Sequence, residues 1–200
     1  RQKKDMSRYD AADVYCYENS SVLKNKLGLQ DQEQLDAFEA DLTALRIIAL
    51  DNNPVDGQFD LEHLKKIHFE VFQDIYDWAG KIRTVDIWKD ESHFANIRMI
   101  DSAANKLFTE LAKEKFFEGK DIEYIAKRLA HYLSELNVLH PFRDGNGRIQ
   151  RIFISQLAQR AGYQLNYADL NKRTIYTAME KAFFGNEEQL ARSEERRVGK

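Results

Sequence analysis

Proline is almost absent from this chain, 2 in 200 residues, and glycine is scarce at 9. So few breakers exclude collagen-like and low-complexity classes, and they count against an all-β sandwich, which needs many turns. The single cysteine, Cys16, excludes an internal disulfide framework and a zinc site built on cysteines. No run of about 18 apolar residues occurs, so no membrane span is expected. No basic segment followed by an apolar core stands near the start, so no cleavable signal peptide is visible. A net charge of −3 indicates no general nucleic-acid-binding surface. His63, His68, His93 and His131 carry no His-Glu-x-x-His spacing and are read as structural. A hydrophobic fraction of 43% and a charged fraction of 32% place the chain among ordinary globular domains with a sizeable core.

Helical periodicity dominates what is present. Ile122, Ile125, Leu129, Leu133 and Leu136 form an apolar stripe led by Asp121 as a candidate N-cap. Ile149, Ile152, Phe153 and Leu157 repeat the pattern after Gly147, with Gly162 as the stop. Leu35, Phe38, Leu42, Leu45 and Ile48 mark a helix led by Asp31. Leu61, Leu64, Ile67, His68 and Val71 mark another. Ile97, Ile100, Ala104, Leu107, Phe108 and Leu111 mark a fifth, and Ile175, Met179 and Phe183 a sixth. The exception is 81–94, where β-formers flank Asp90-Glu91-Ser92 and predict a short hairpin. The expected fold is mainly α: one helical domain over 1–191, with its core at about 9–186. Residues 192–200 carry six charges and one apolar side chain and resemble the translation of a sequencing-adapter oligonucleotide. They are expected to be non-native or a disordered tail. A chain opening on Arg1 is expected to be a fragment or a processed form.

One segment carries chemistry: His140-Pro141-Phe142-Arg143-Asp144-Gly145-Asn146-Gly147-Arg148-Ile149-Gln150-Arg151. Pro141 ends the upstream helix by Leu139. A Gly-Asn-Gly loop opening the next helix aims several N–H groups and the helix dipole at one point, an anion nest. Arg148 and Arg151 share a face of that helix's first turn, where the dipole disfavours cations unless an anion binds. Two guanidinium forks suit a polyphosphate. Asp144 offers a hard oxygen for Mg²⁺, and His140 is the group able to take a proton near pH 7. Each feature alone has a bland reading, as a surface turn or an exposed histidine; within twelve residues they point together to phosphate chemistry.

This segment resembles the signature of Fic domains, His-Pro-Phe-x-Asp/Glu-Gly-Asn-Gly-Arg-x-x-Arg, and matches it at every position. The resemblance extends to Lys81-Ile82-Arg83 and Phe94, placed like the family's flap. Tyr15-Cys16-Tyr17 and 22–28 look like the Fic domains of Bartonella effector proteins and related toxins. It implies a helical bundle with a small β-hairpin flap over the active site. It also implies transfer of AMP from ATP, as co-substrate, to a Tyr, Thr or Ser hydroxyl of a target protein, with release of pyrophosphate. By the same resemblance His140 is the base and Asp144 holds Mg²⁺. Asn146 positions the α-phosphate beside the Gly145 and Gly147 N–H groups, while Arg148 and Arg151 meet the β- and γ-phosphates. Lys81, Ile82 and Arg83 are expected at a flap edge that docks the target by main-chain pairing, or else in a merely stabilising hairpin.

Many Fic enzymes are held off by a helix bearing Ser/Thr-x-x-x-Glu-Gly/Asn, whose Glu pairs with the last motif arginine, here Arg151. Only Glu18 and Glu118 precede Asn or Gly, and Val14 and Glu114 stand four residues earlier. No such helix is therefore read in this chain, and a small antitoxin-like partner, or a downstream segment, is expected to supply it. The resemblance implies a bacterial cytoplasmic protein, exported into a host cell if it is an effector. Transfer of UMP, phosphocholine or phosphate, and a non-catalytic interaction domain, are the alternatives. Gly147 favours AMP over phosphate, and the intact His140 and Asp144 argue against loss of catalysis.

Overall fold

The computed structural model describes residues 14–89, 92–165 and 198–199. Five helices carry the fold: α1 Gln32–Asn52, α2 Leu61–Phe72, α3 Ile100–Lys113, α4 Ile122–Leu139 and α5 Asn146–Arg160. Asp31, Asp60 and Asp121 cap α1, α2 and α4 by accepting the N–H groups of Gln34, His63 and Tyr124. Gly162, at φ +90°, lies just past the end of α5.

The core is a hairpin of α4 and α5, covered by α2 and α3. Ile125, Leu129, Leu133 and Leu136 on α4, and Ile149, Phe153, Ile154 and Leu157 on α5, are fully buried. Each contributes roughly 1.5–3 kcal/mol relative to exposure. Leu64, Ile67, Val71 and Phe72 bury the inner face of α2, and Ala104, Leu107, Phe108 and Leu111 that of α3. The 3.6-residue period therefore located these four helices and most of their inner faces; Ile122 of the predicted α4 stripe is exposed, and Ile97 lies in a 3-10 turn ahead of α3.

The inner face of α1 departs from expectation. Phe38, Leu45 and Ile48 of the predicted stripe are exposed, and the buried residues are Leu35, Thr43 and Leu50. The reason is partly polar. The face turned to the body also carries Glu39 and Arg46, whose partners are Arg148 and Asp74. Leu42 and Ile47 also pack against the core, so α1 turns Leu35, Leu42, Ile47 and Leu50 inward beside these ion pairs and leaves Phe38, Leu45 and Ile48 outside.

Strands are few. β1 Trp88–Lys89 and β2 Ser92–His93 form a minimal antiparallel hairpin, with Trp88 opposite His93. This is a smaller flap than the 81–94 hairpin expected, and Lys81, Ile82 and Arg83 lie outside it. β3 Gln164–Leu165 pairs antiparallel with β4 Val198–Gly199. Within the expected tail only 198–199 are described, and they form this short ladder. The predicted helix around Ile175, Met179 and Phe183 lies outside the described residues.

Candidate active site

α4 stops at Leu139 because Pro141 has no N–H to continue it. His140 becomes the C-cap in a left-handed conformation, φ 42° and ψ 60°, its N–H bonded to Leu136 O at 3.0 Å. That conformation costs a non-glycine residue roughly 1–2 kcal/mol, and the surroundings must hold it. Arg83 does so. Its Nε donates to His140 O at 2.8 Å, and its backbone N–H to Pro141 O at 2.9 Å. The ring of His140 stacks on Phe94, centroids 3.7 Å apart and planes at 14°. Its Nδ1 lies 3.1 Å from Asn137 O. A carbonyl only accepts, so Nδ1 carries the hydrogen and the basic lone pair sits on Nε2.

The turn that follows is over-determined. Phe142 is buried in the core. Asn146 Oδ1 accepts from Phe142 N–H at 2.9 Å and Nδ2 donates to Phe142 O at 2.8 Å, so the buried amide closes the loop on itself. Gly145 takes φ +78°, and a Cβ there would lie 2.3 Å from Phe72 Cζ, so both conformation and space demand glycine. Asp144 is half-buried, and its Oδ1 accepts from Gly145 N–H at 2.7 Å. The N–H groups of Asn146, Gly147 and Arg148 open α5 without intrahelical acceptors.

His68 anchors this turn to the rest of the molecule. Its Nδ1 accepts from Gly80 N–H at 2.9 Å, so Nε2 carries the hydrogen and donates to Asp144 O at 3.0 Å. The ring stacks on Phe142 with centroids 4.0 Å apart. Burial pulls its pKa down from 6.5 to about 3; the Asp144 carbonyl opposes this and the Arg148 cation reinforces it. The sign follows from proton binding: between these values the unfolded chain binds the proton and the folded chain does not. The contribution is complete above about pH 6.5 and is lost as pH falls toward 3, at up to about 1.4 kcal/mol per pH unit. His63, also lowered by burial, adds a loss of the same sign. Urea unfolding at pH 7.5 and pH 5 should show a clear drop in stability, and the drop should be smaller in His68→Gln. An equal drop in both proteins would assign the acid sensitivity to other groups.

The two motif arginines differ. Arg148 Nη2 pairs with Glu39 Oε1 at 2.5 Å, and its guanidinium lies over Phe72, 4.8 Å from the ring centroid. Arg151 is half-buried, and a Cβ on Gly147 would lie 3.3 Å from its Nη1. Among the described residues nothing forms a hydrogen bond or ion pair with Arg151. Its guanidinium is therefore open to an anion, whereas that of Arg148 is already shared with a carboxylate.

The expected docking edge needs one correction. Arg83 is buried at 2% exposure and cannot meet a target. Its guanidinium donates to the carbonyls of His140, Val85 and Ala95. These loop carbonyls have no regular ladder to join, and a five-donor fork satisfies three of them at once. Lys81 is exposed and Ile82 half-buried. Sequence reasoning missed Glu39 and gave His68 no part in the site. The signal for His68 was a histidine within the apolar stripe of α2; for Glu39 it was the line Leu35, Glu39, Thr43, Arg46, Leu50 along α1.

The Fic/DOC family matches residues 58–158. The chain is 39% identical over 187 residues to the protein adenylyltransferase VbhT of Bartonella schoenbuchensis, covering 93% of this chain and 39% of VbhT. It thus spans well under half of that relative's length. It is 38% identical over 178 residues to an Escherichia coli protein named "Probable protein adenylyltransferase Fic", covering 88% of each. Among solved structures, BepC of Bartonella tribocorum with bound AMPPNP superposes with TM-score 0.84 at 25% identity, covering 92% of this chain and 96% of that one. The helical scaffold, the complete motif and these likenesses agree, and the chain belongs to the Fic/DOC family.

Proposed function

We propose that this domain transfers AMP from ATP to a hydroxyl of a target protein. The observation that carries the reading is His140, held with Nε2 as its basic nitrogen, beside a glycine loop that opens α5. The names of its relatives, and a nucleotide analogue bound to one of them, support it.

The chemistry follows from the parts. The N–H groups of Asn146, Gly147 and Arg148 and the start of the α5 dipole receive phosphate oxygens, while the Gly145 N–H orients Asp144. Arg148 and Arg151 extend that cradle along the polyphosphate, with Arg151 toward the γ-phosphate. Asn146 serves by closing the loop that shapes the cradle. His140 Nε2 takes the proton from the target hydroxyl as its oxygen bonds to the α-phosphorus. The bond from that phosphorus to the bridging oxygen breaks, and pyrophosphate leaves. Most of the acceleration comes from positioning and charge stabilisation. Asp144 fits Mg²⁺ as a half-buried carboxylate with one oxygen oriented by Gly145 N–H, and phosphate oxygens would complete the shell. The ion would neutralise phosphate charge. Exposed Lys81, half-buried Ile82 and the Trp88–His93 hairpin are the surface offered to an extended target segment.

The test uses ATP labelled at the α- or the γ-phosphate, Mg²⁺ and cell lysate. Label from the α-position alone, on protein, is the expected result. Label from the γ-position would show phosphate transfer, and no label from either would leave an interaction domain. A small antitoxin-like partner bearing Ser/Thr-x-x-x-Glu-Gly/Asn would take Arg151 by a bidentate pair and lower the labelling. Relatives described as translocated effectors support synthesis in a bacterial cytoplasm and export to a host cell.

A further inference from the structure

α1 places a carboxylate inside the motif. Glu39 lies outside the signature, yet its side chain is only 13% exposed and its Oε1 sits 2.5 Å from Arg148 Nη2. Its Oε2 accepts a short hydrogen bond from the hydroxyl of Tyr76, which is 1% exposed. Burial and the adjacent Glu39 push the ionisation of Tyr76 upward, so this hydroxyl stays a donor. Thr43, one turn along α1, places Oγ1 3.5 Å from Arg148 Nη1. Phe72 supports the flat face of the guanidinium.

Arginine at the first turn of a helix is a long, flexible cation at the wrong pole of the dipole. Left alone it would sample many rotamers and reach an anion in few of them. Here its plane is set by Phe72 and its rotation by Glu39, while Tyr76 holds Glu39. Four residues from α1, α2 and the turn after α2 thus orient one motif side chain. A carboxylate facing a phosphate-binding arginine also removes net charge from the site, which is unfavourable for binding unless orientation is worth more.

We infer that Glu39, held by Tyr76, is the positioning residue of Arg148: it fixes the guanidinium in the orientation that meets the polyphosphate. This rests on the reading of Arg148 given above. The inference predicts coupling. Glu39 acts on nucleotide binding only through Arg148, so its removal should not change nucleotide affinity once Arg148 is gone.

The experiment is a double-mutant cycle on the chain, read by affinity for a non-hydrolysable ATP analogue and by kcat and KM for ATP in the labelling assay. Glu39→Ala should weaken nucleotide affinity and raise KM about tenfold, in the range of coupled neighbours. Glu39→Gln keeps an acceptor and should recover to within about threefold of wild type. Glu39→Ala in the Arg148→Ala background should add no further loss. The same loss in both backgrounds would show a merely structural role and overturn the inference. Wild-type affinity in a folded Glu39→Ala protein would also overturn it, with Arg148→Ala still defective. If Arg148→Ala itself binds nucleotide normally, the reading of Arg148 falls and the inference with it. Should Glu39→Ala fail to fold, Tyr76→Phe removes one hydroxyl and carries the same cycle, with about a threefold loss expected only where Arg148 is present.

Discussion

His140→Ala should end AMP transfer while nucleotide affinity and thermal stability stay close to wild type. A general base typically contributes about 10²–10⁴-fold, and the loss should reach the upper part of that range. Two features argue for the upper part. Nδ1–H is held toward Asn137 O and the ring is stacked on Phe94, so the basic nitrogen is presented in one orientation. Binding should survive because the imidazole holds none of the loop that forms the anion nest; Asn146, His68 and Phe142 do that. The measurement is the initial rate of α-label incorporation on a verified target, beside a titration with an ATP analogue. A variant that labels within tenfold of wild type would remove His140 from the role of base.

Arg83 should be the most costly residue to remove outside the motif. Its side chain is fully buried and donates to three backbone carbonyls, while its own N–H bonds Pro141 O. Arg83→Met leaves those carbonyls without a donor. Each unsatisfied buried group costs roughly 1–3 kcal/mol, so a loss of about 3 kcal/mol or more is expected. Activity should fall further than stability, because the His140 carbonyl is one of the three and the left-handed cap loses its restraint. Arg83→Lys should rescue only in part, since one ammonium cannot match a guanidinium that donates from Nε, Nη1 and Nη2 to three separate carbonyls. Urea unfolding at neutral pH, paired with the labelling rate, separates the two effects. A Met variant within about 1 kcal/mol of wild type would show that water satisfies these carbonyls.

Particular residues show what could be read in advance. Asp31 and Asp121 were legible as caps because an Asp before a periodic run has one local use, and both accept the expected N–H groups. The inner faces of α3, α4 and α5 were legible because apolar residues recur along them at helical spacing, although Ser134 and Gln150 are buried there too. Pro141 and Gly145 were legible because they act on their own backbone: one removes a donor, and the other takes φ +78°. The twelve-residue run was legible as a site because base, carboxylate, nest and arginines are adjacent in the chain.

The rotation of α1, the burial of Arg83 and the seat of Glu39 could not be read that way. Each depends on a partner far along the chain: Arg148 for Glu39, and the carbonyls of Ala95 and His140 for Arg83. Residue type states only what a side chain can donate or accept, and a charged residue is ordinarily solvated. The sequence by itself determined a helical domain, the caps of α1 and α4, the motif loop and the chemistry that loop can hold, because those rest on local backbone preference and periodic burial. The tertiary structure decided which charges are spent inside, how His140 and Arg148 are aimed, and how small the flap is. Those outcomes rest on long-range hydrogen bonds whose partners meet only after the helices have packed.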